Sequence, residues 1–200
     1  MNHFEFGARL IGLFAALSCA GCGGSSSGSG TCSSVTGCGG DLTGTWTISS
    51  ACAEPEDLTQ PEACGNVAAH LSLLDATGTI TFNADGTESQ SIVVVALESL
   101  TFPTSCLPSA TQCDAATATV AAQPDTTDAS CSFSTAGCTC SGEVTASTSA
   151  SGTYQISGTS VIVTAAGESP DTDPYCVSGN ELTLQSTDGN GDTTTITATR

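Results

Sequence analysis

The sequence predicts an all-β fold: an antiparallel up-and-down meander of about eight strands closing into a barrel, with a disulfide-rich insertion that has room for a short helix. Three observations carry this expectation. From Asp41 onward, short runs alternate apolar residues with Thr, Ser and Gln, the period of a half-buried strand. Gly-containing pairs separate these runs at hairpin spacing. An open meander of this length leaves two unpaired strand edges, and closure removes them. Two packed sheets in a sandwich are the alternative arrangement of the same strands.

The first strand is read in Leu42 to Ser50, "LTGTWTISS". Next comes a hairpin turning at Asp85-Gly86, between Thr79–Asn83 and Ser89–Leu97. Later hairpins turn at Ser157-Gly158 and at Gly179-Asn180, and the last turn falls near Gly189-Asn190. In these strands Tyr154 and Ile156, Val161 and Val163, and Leu182 and Leu184 share the face expected to be buried. Two stretches break the pattern. Cys52 to Asp75 begins as a Pro-bearing loop and suggests a helical turn near Val67–Leu74. Residues 103–140 form a cysteine-rich insertion in which Ser109 caps an Ala-rich helix that stops before Pro124.

Ten cysteines stand beyond residue 22: Cys32, Cys38, Cys52, Cys64, Cys106, Cys113, Cys131, Cys138, Cys140 and Cys176. An even number in an exported chain is expected to pair as disulfides, each contributing ~2–4 kcal/mol to a core lean in aromatic residues. The connectivity does not follow from sequence. Cys32 with Cys38 and Cys52 with Cys64 are short-range candidates, and Cys176 is expected to reach back to the Cys106–Cys140 group. Cys138 and Cys140 are spaced too closely for a zinc pair of the C-x₂₋₄-C kind, so no metal site is expected.

The N-terminus reads as an export signal. Leu10 to Ser18 is an apolar run of nine residues behind Arg9, far short of the ~20 that span a bilayer as a helix. Ala20 and Gly21 lead into Cys22, and this resembles the lipobox of bacterial lipoproteins, with Cys19 standing where that family usually has Leu. The resemblance implies a signal over residues 1–21, lipidation of Cys22 (Cys19 being the competing acceptor), and membrane attachment through the N-terminal lipid. Gly23, where a retention signal would place Asp, points the resemblance to the outer membrane. Residues 22–40 then serve as a Gly/Ser-rich tether. Its Gly23–Gly30 stretch reaches about 15–17 Å as a random coil. Residues 41–200 are expected to form the folded domain.

The chain carries 20 acidic residues against two Lys or Arg, a formal charge of −18. Only Glu5 and Arg9 among these fall within the signal, so Arg200 is the sole cation of the mature chain. Such a field repels phosphate backbones, and nucleic acid is excluded as a partner.

Gly44-Thr45-Trp46 matches the G-x-W motif in the first strand of lipocalins. In that family the Trp plugs the closed end of the barrel, and a basic residue late in the last strand lies across it. Here the only Trp is Trp46, and Arg200 ends the last expected strand. "TDPY", Thr172 to Tyr175, is similar to the T-D-Y motif of a later lipocalin loop, with Pro174 inserted. Arg200 is also the last residue, where lipocalins continue into a helix. The resemblance implies a cup for a small apolar ligand, lined by Phe82, Ile92, Val94, Tyr154, Ile156, Val163 and Leu182. The alternative is a structural or partner-binding envelope protein with a filled core.

No catalytic constellation emerges, and neither an enzymatic activity nor a cofactor is expected. His70, the only histidine beyond the signal, lies in an apolar run and reads as a partly buried structural residue. Asp171 and Asp173 form a carboxylate pair without an aromatic sugar platform beside it. "DGNGD", with Asp188, Asn190 and Asp192, alternates oxygens like a calcium loop, but Thr193 stands at the turn position and no Glu closes it, so a hairpin turn is expected.

Overall fold

A computed structural model describes residues 32–167, 169–187 and 193–200. Among these residues, ten strands and one helix follow in order: β1 (Gly44–Ala53), β2 (Glu56–Glu62), β3 (Gly65–Phe82), β4 (Thr87–Phe102), α1 (Ala110–Ala121), β5 (Thr126–Ser134), β6 (Gly137–Ser157), β7 (Ser160–Ala165), β8 (Asp171–Ser178), β9 (Glu181–Thr187) and β10 (Thr193–Thr199). The fold is all-β and up-and-down, and it divides into two compact units.

Unit 1 comprises residues 32–54, 74–94 and 146–200 of the described chain. Its strands run in the order β1-β10-β9-β8-β7-β6-β4-β3, and β3 pairs again with β1. That second pairing closes an uneven ring of eight strands. The antiparallel closure sets Trp46 opposite Ile80 and Thr47 opposite both Thr79 and Thr199. Hairpins build most of the ring because their turns fit the strand twist. Gly158 and Gly179 hold φ of +63° at the first central position of two-residue turns, where a side chain would strain. The first of these turns is Gly158-Thr159, one residue beyond the expected Ser157-Gly158, while Gly179-Asn180 falls where the sequence places it. The Asp85-Gly86 signal belongs to a four-residue connection, Asn83–Gly86, in which the Asp85 carboxylate accepts from both the amide and the hydroxyl of Thr87. The turn near Gly189-Asn190 lies outside the described residues.

Alternation fills the ring. Even-numbered residues of β4, β9 and β10 point inward, and β1 does the same through Trp46 and Ile48. A bulge between Ile48 and Ser50 then shifts the parity, so that Ala51 is buried as well. Trp46, Tyr175, Phe82, Leu42, Ile92, Leu182 and Val161 are each under 2% exposed or close to it. Burying each large apolar side chain stabilises the ring by ~1.5–3 kcal/mol.

Unit 2 comprises residues 55–73 and 95–145. Here β2 pairs antiparallel with the first part of β3, β5 pairs antiparallel with the first part of β6, and α1 packs against β5. The helix forms where the sequence predicts it. Ser109 is extended, and its hydroxyl accepts from the Gln112 amide, satisfying one of the free donors of the first turn. The suggested helical turn at Val67–Leu74 is instead part of β3. Val67, Ala69 and Leu71 are buried while Ala68 and His70 are exposed, because Glu56–Glu62 offers a pairing partner that a helix cannot use. The second unit thus takes in β2 and the start of β3, well beyond the expected insertion at 103–140.

All ten cysteines from Cys32 to Cys176 are disulfide-bonded, as Cys32–Cys52, Cys38–Cys176, Cys64–Cys106, Cys113–Cys138 and Cys131–Cys140. The short-range pairs Cys32–Cys38 and Cys52–Cys64 do not form, and Cys176 reaches Cys38 rather than the insertion. The cause is the segment 32–40, assigned to the tether from sequence but bound to the ring. The amides of Cys38 and Gly39 donate to the Tyr175 carbonyl, Val177 donates back to Gly39, and Gln185 and Thr195 reach the Ser33 carbonyl. Lying against β8, this segment puts Cys38 within 4.6 Å of Cys176, Cα to Cα.

Candidate functional site

The ring offers three places where side chains of one kind gather: the contact of Trp46 with Arg200, the interior, and an outer groove. At the first, Trp46 is fully buried and its indole nitrogen donates to the Leu42 carbonyl at 2.8 Å. The Arg200 guanidinium carbon lies 4.5 Å from the centre of a Trp46 ring, the arrangement expected from the first and last strands. One guanidinium nitrogen donates to the Thr43 carbonyl at 2.9 Å and to that of Asp41 at 3.5 Å. Arg200 therefore fastens the chain entering β1 to the end of β10, and its charge faces the ring as a cation–π partner.

Five of the seven expected lining residues, Phe82, Ile92, Val94, Val163 and Leu182, are buried in the ring at 0–6% exposure. Tyr154 is only half-buried. It meets Phe82 edge to face at 5.0 Å and donates its hydroxyl to the Asn83 carbonyl. Ile156 is 52% exposed and does not line the interior. Near the end of β6 it pairs with Val161, which is fully buried, two residues before the turn.

The interior also holds acids. Glu88 and Gln90 share the inward parity of Ile92 and Val94 on β4, and Asp173 shares that of Tyr175 on β8. Glu88 is 4% exposed and Asp173 2%, and each keeps one carboxylate oxygen without a hydrogen-bond partner. Burial raises the pKa of Glu88 above the ordinary carboxylate range. Burial pushes Asp173 up to about 6, the Asp171 charge adds to it, and a hydrogen bond from Ser186 opposes both. The sequence passes over Glu88, which stands alone among Ser, Thr and Gln, and reads Asp173 only as one of a pair with Asp171. Their parity with the apolar residues of the same strand is the signal that finds them. "TDPY" belongs to a strand rather than a loop, and Asp173 points into the ring while Asp171 is exposed. The two share one face of β8, Asp171 at its exposed start and Asp173 two residues further in.

The third place is a concavity of about 430 Å³ on unit 1. The hydroxyls of Thr79, Ser89, Ser91, Ser149 and Ser151 line it together with Gln90. Ala150 completes the lining, which carries no charged side chain and none of the residues expected to line an apolar cup.

In unit 2, His70 is exposed rather than partly buried. It stands opposite Asp57 across the β2–β3 ladder, with Nδ1 2.7 Å from the carboxylate. An exposed pair of this kind contributes little to stability. Glu98, whose pKa is raised by burial, keeps one carboxylate oxygen unpartnered. The sulfurs of Cys131, Cys138 and Cys140 lie within 4.8 Å of one another, all engaged in disulfides. Cys22, Cys19 and the Asp188–Asp192 loop lie outside the described residues. Compared with known protein families, curated proteins and solved structures, the chain matches none.

Proposed function

We propose that the chain is an exported envelope protein, lipid-anchored through Cys22 to the outer membrane, whose ring is a filled, non-catalytic scaffold that offers its surface to envelope partners. The observation that carries the scaffold reading is the packing of the ring. Its widest inward side chains, Trp46, Tyr175 and Phe82, are 0–2% exposed, and five of the seven apolar residues expected to line a cup are buried at 0–6% exposure. An eight-stranded ring stands at the size where side chains either fill the interior or leave room for one small ligand, and the exposures here favour filling. The anchor rests on the approach of Ala20-Gly21 to Cys22. Its test is metabolic labelling with palmitate: Cys22→Ala abolishes both label and membrane association, and Cys19→Ser leaves both largely intact. Equal label in the Cys22→Ala protein overturns the assignment.

A second reading, a cup for a small apolar ligand, draws on the convergence of Phe82, Ile92, Val94, Val163 and Leu182 on one interior. Native mass spectrometry of the purified chain decides between them. The filled scaffold gives the mass of the acylated protein alone; a co-purified lipid that leaves on mild activation favours the cup.

A further inference from the structure

We infer that the four sulfurs of Cys113, Cys131, Cys138 and Cys140 form a redox-gated metal site, which takes one thiophilic divalent cation of the zinc class once their two disulfides are reduced. Three observations meet in unit 2. The first is distance. The sulfurs of Cys131, Cys138 and Cys140 lie within 4.8 Å of one another, and those of Cys138 and Cys140 are 3.8 Å apart. Tetrahedral zinc with Zn–S bonds of ≈ 2.3 Å sets its sulfurs about 3.8 Å from each other, so one edge of the tetrahedron already stands at its final length. The fourth sulfur, Cys113, is bonded to Cys138 as Cys131 is to Cys140, so opening the two disulfides frees all four at one place.

The second is placement on rigid elements. Cys138 and Cys140 are two apart on β6 and share a face, Cys131 is the direct cross-strand partner of Cys140 on β5, and Cys113 comes from α1. Ligands thus approach from three elements, and none sits on a free loop. The third is environment. Cys113, Cys138 and Cys140 are 0–1% exposed, and Phe102, Leu107, Ala116 and Val120 pack around them. Such an apolar shell disfavours bare thiolates, half of whose charge a divalent cation offsets; it also keeps water off the metal.

The chemistry balances without help from the protein. A dithiol reductant gives two electrons and two protons to each disulfide and closes into its own cyclic disulfide. Cys131, half-buried, is the sulfur of the cluster open to attack. Two such reductions break the Cys113–Cys138 and Cys131–Cys140 bonds and yield four thiols. The cation then displaces their protons to solvent. Disulfides and metal are mutually exclusive, so the same four residues cross-link unit 2 in either redox state.

The test uses the full chain, reduced by a water-soluble phosphine that does not bind zinc, with one equivalent of Zn²⁺ added without oxygen. Alkylation by iodoacetamide is then mapped by peptide mass. Zinc is expected to slow labelling of Cys113, Cys131, Cys138 and Cys140 at least tenfold and to leave Cys32, Cys38, Cys52, Cys64, Cys106 and Cys176 unchanged. Co²⁺ in place of Zn²⁺ should give the intense ligand-field bands of a tetrahedral thiolate site in the reduced chain and none in the oxidised one. Cys131→Ser should weaken uptake tenfold or more, whereas Cys64→Ser with Cys106→Ser should retain it. Labelling that ignores zinc, including in a reduced chain that has lost its fold, overturns the proposal. So does protection spread over all ten cysteines, or equal uptake by the oxidised chain.

Discussion

The two units solve the same problem by different means. Both are built from antiparallel strands whose outer members expose unpaired backbone groups. The ring removes its edges by pairing β1 with both β10 and β3, and then fills itself with Trp46, Tyr175, Phe82 and aliphatic side chains. Its disulfides stand at the margin, holding segment 32–40 to β1 and β8. Unit 2 leaves β2 and β5 each paired on one side. It blunts them with Pro61 and the acids Glu56, Asp57 and Glu62 on β2, and with a register shift between Thr127 and Ser130 on β5. Its deepest residues include Cys113, Cys138 and Cys140, so sulfur stands where the ring has aromatic rings. Closure lets apolar packing hold one unit, and covalent cross-links substitute for closure in the other.

The largest expected effect breaks the ring side of this comparison. Trp46→Ala should cost ~3–5 kcal/mol in denaturant unfolding, because a buried indole leaves a cavity and an unpaired Leu42 carbonyl. A loss under about 1 kcal/mol would mean that packing does not hold the ring. Next is the joint change Cys113→Ser and Cys138→Ser, expected to cost ~2–5 kcal/mol. Hydrogen exchange should report it locally: amides of α1, β5 and the first part of β6 lose protection, while those of β9 and β10 keep it. Equal loss in both units would show that sulfur and packing are not separate supports.

How much of this contrast was legible in the sequence depends on the range of the interaction. The hairpins and the helix cap at Ser109 followed from local alternation and turn residues, and the contact of Trp46 with Arg200 was expected from the resemblance to lipocalins. Val67 to Leu74 did not, because Val67, Leu71 and Leu74 suit a helix while Val67, Ala69 and Leu71 suit a strand, and only the partner strand decides. The cysteine pairs failed for the same reason: Cys38 and Cys176 are 138 residues apart and meet only once segment 32–40 lies on β8. Five of the seven residues expected inside are buried, Tyr154 is half-buried and Ile156 is exposed, and the burial of Glu88 and Asp173 was not read because a carboxylate among hydroxyls looks like surface.

Those acids give a prediction of intermediate size that sharpens the picture of the ring. Asp173 titrates near 6 in the folded chain against an ordinary 3.8, so between these values the folded form binds more protons than the unfolded one. Stability from this group is fully present below about 3.8 and is lost as pH rises through about 6. A shift of this size costs the folded chain roughly 3 kcal/mol at neutral pH. Asp173→Asn should therefore raise the melting temperature at pH 7.5 by several degrees, with the gain vanishing near pH 4, since Asn still accepts from Ser186. A gain independent of pH would mean that Asp173 is solvated in the ring.

The smallest effect tests how the ring is fastened. Arg200 is exposed, and a cation–π contact at an exposed site contributes ~0.5–1 kcal/mol. Its guanidinium also donates to the Thr43 carbonyl, a geometry that the point charge of a lysine reproduces only in part. Arg200→Ala should thus lower the melting temperature by a few degrees, and Arg200→Lys should recover part of that loss. Raising salt separates the two contributions. The hydrogen bond and the stacking over Trp46 persist, whereas attraction of the lone cation to the surrounding acids is screened. If Arg200→Lys matched the native chain at all salt concentrations, charge alone would explain the contact, and the fit of the planar guanidinium over Trp46 would add nothing to closure.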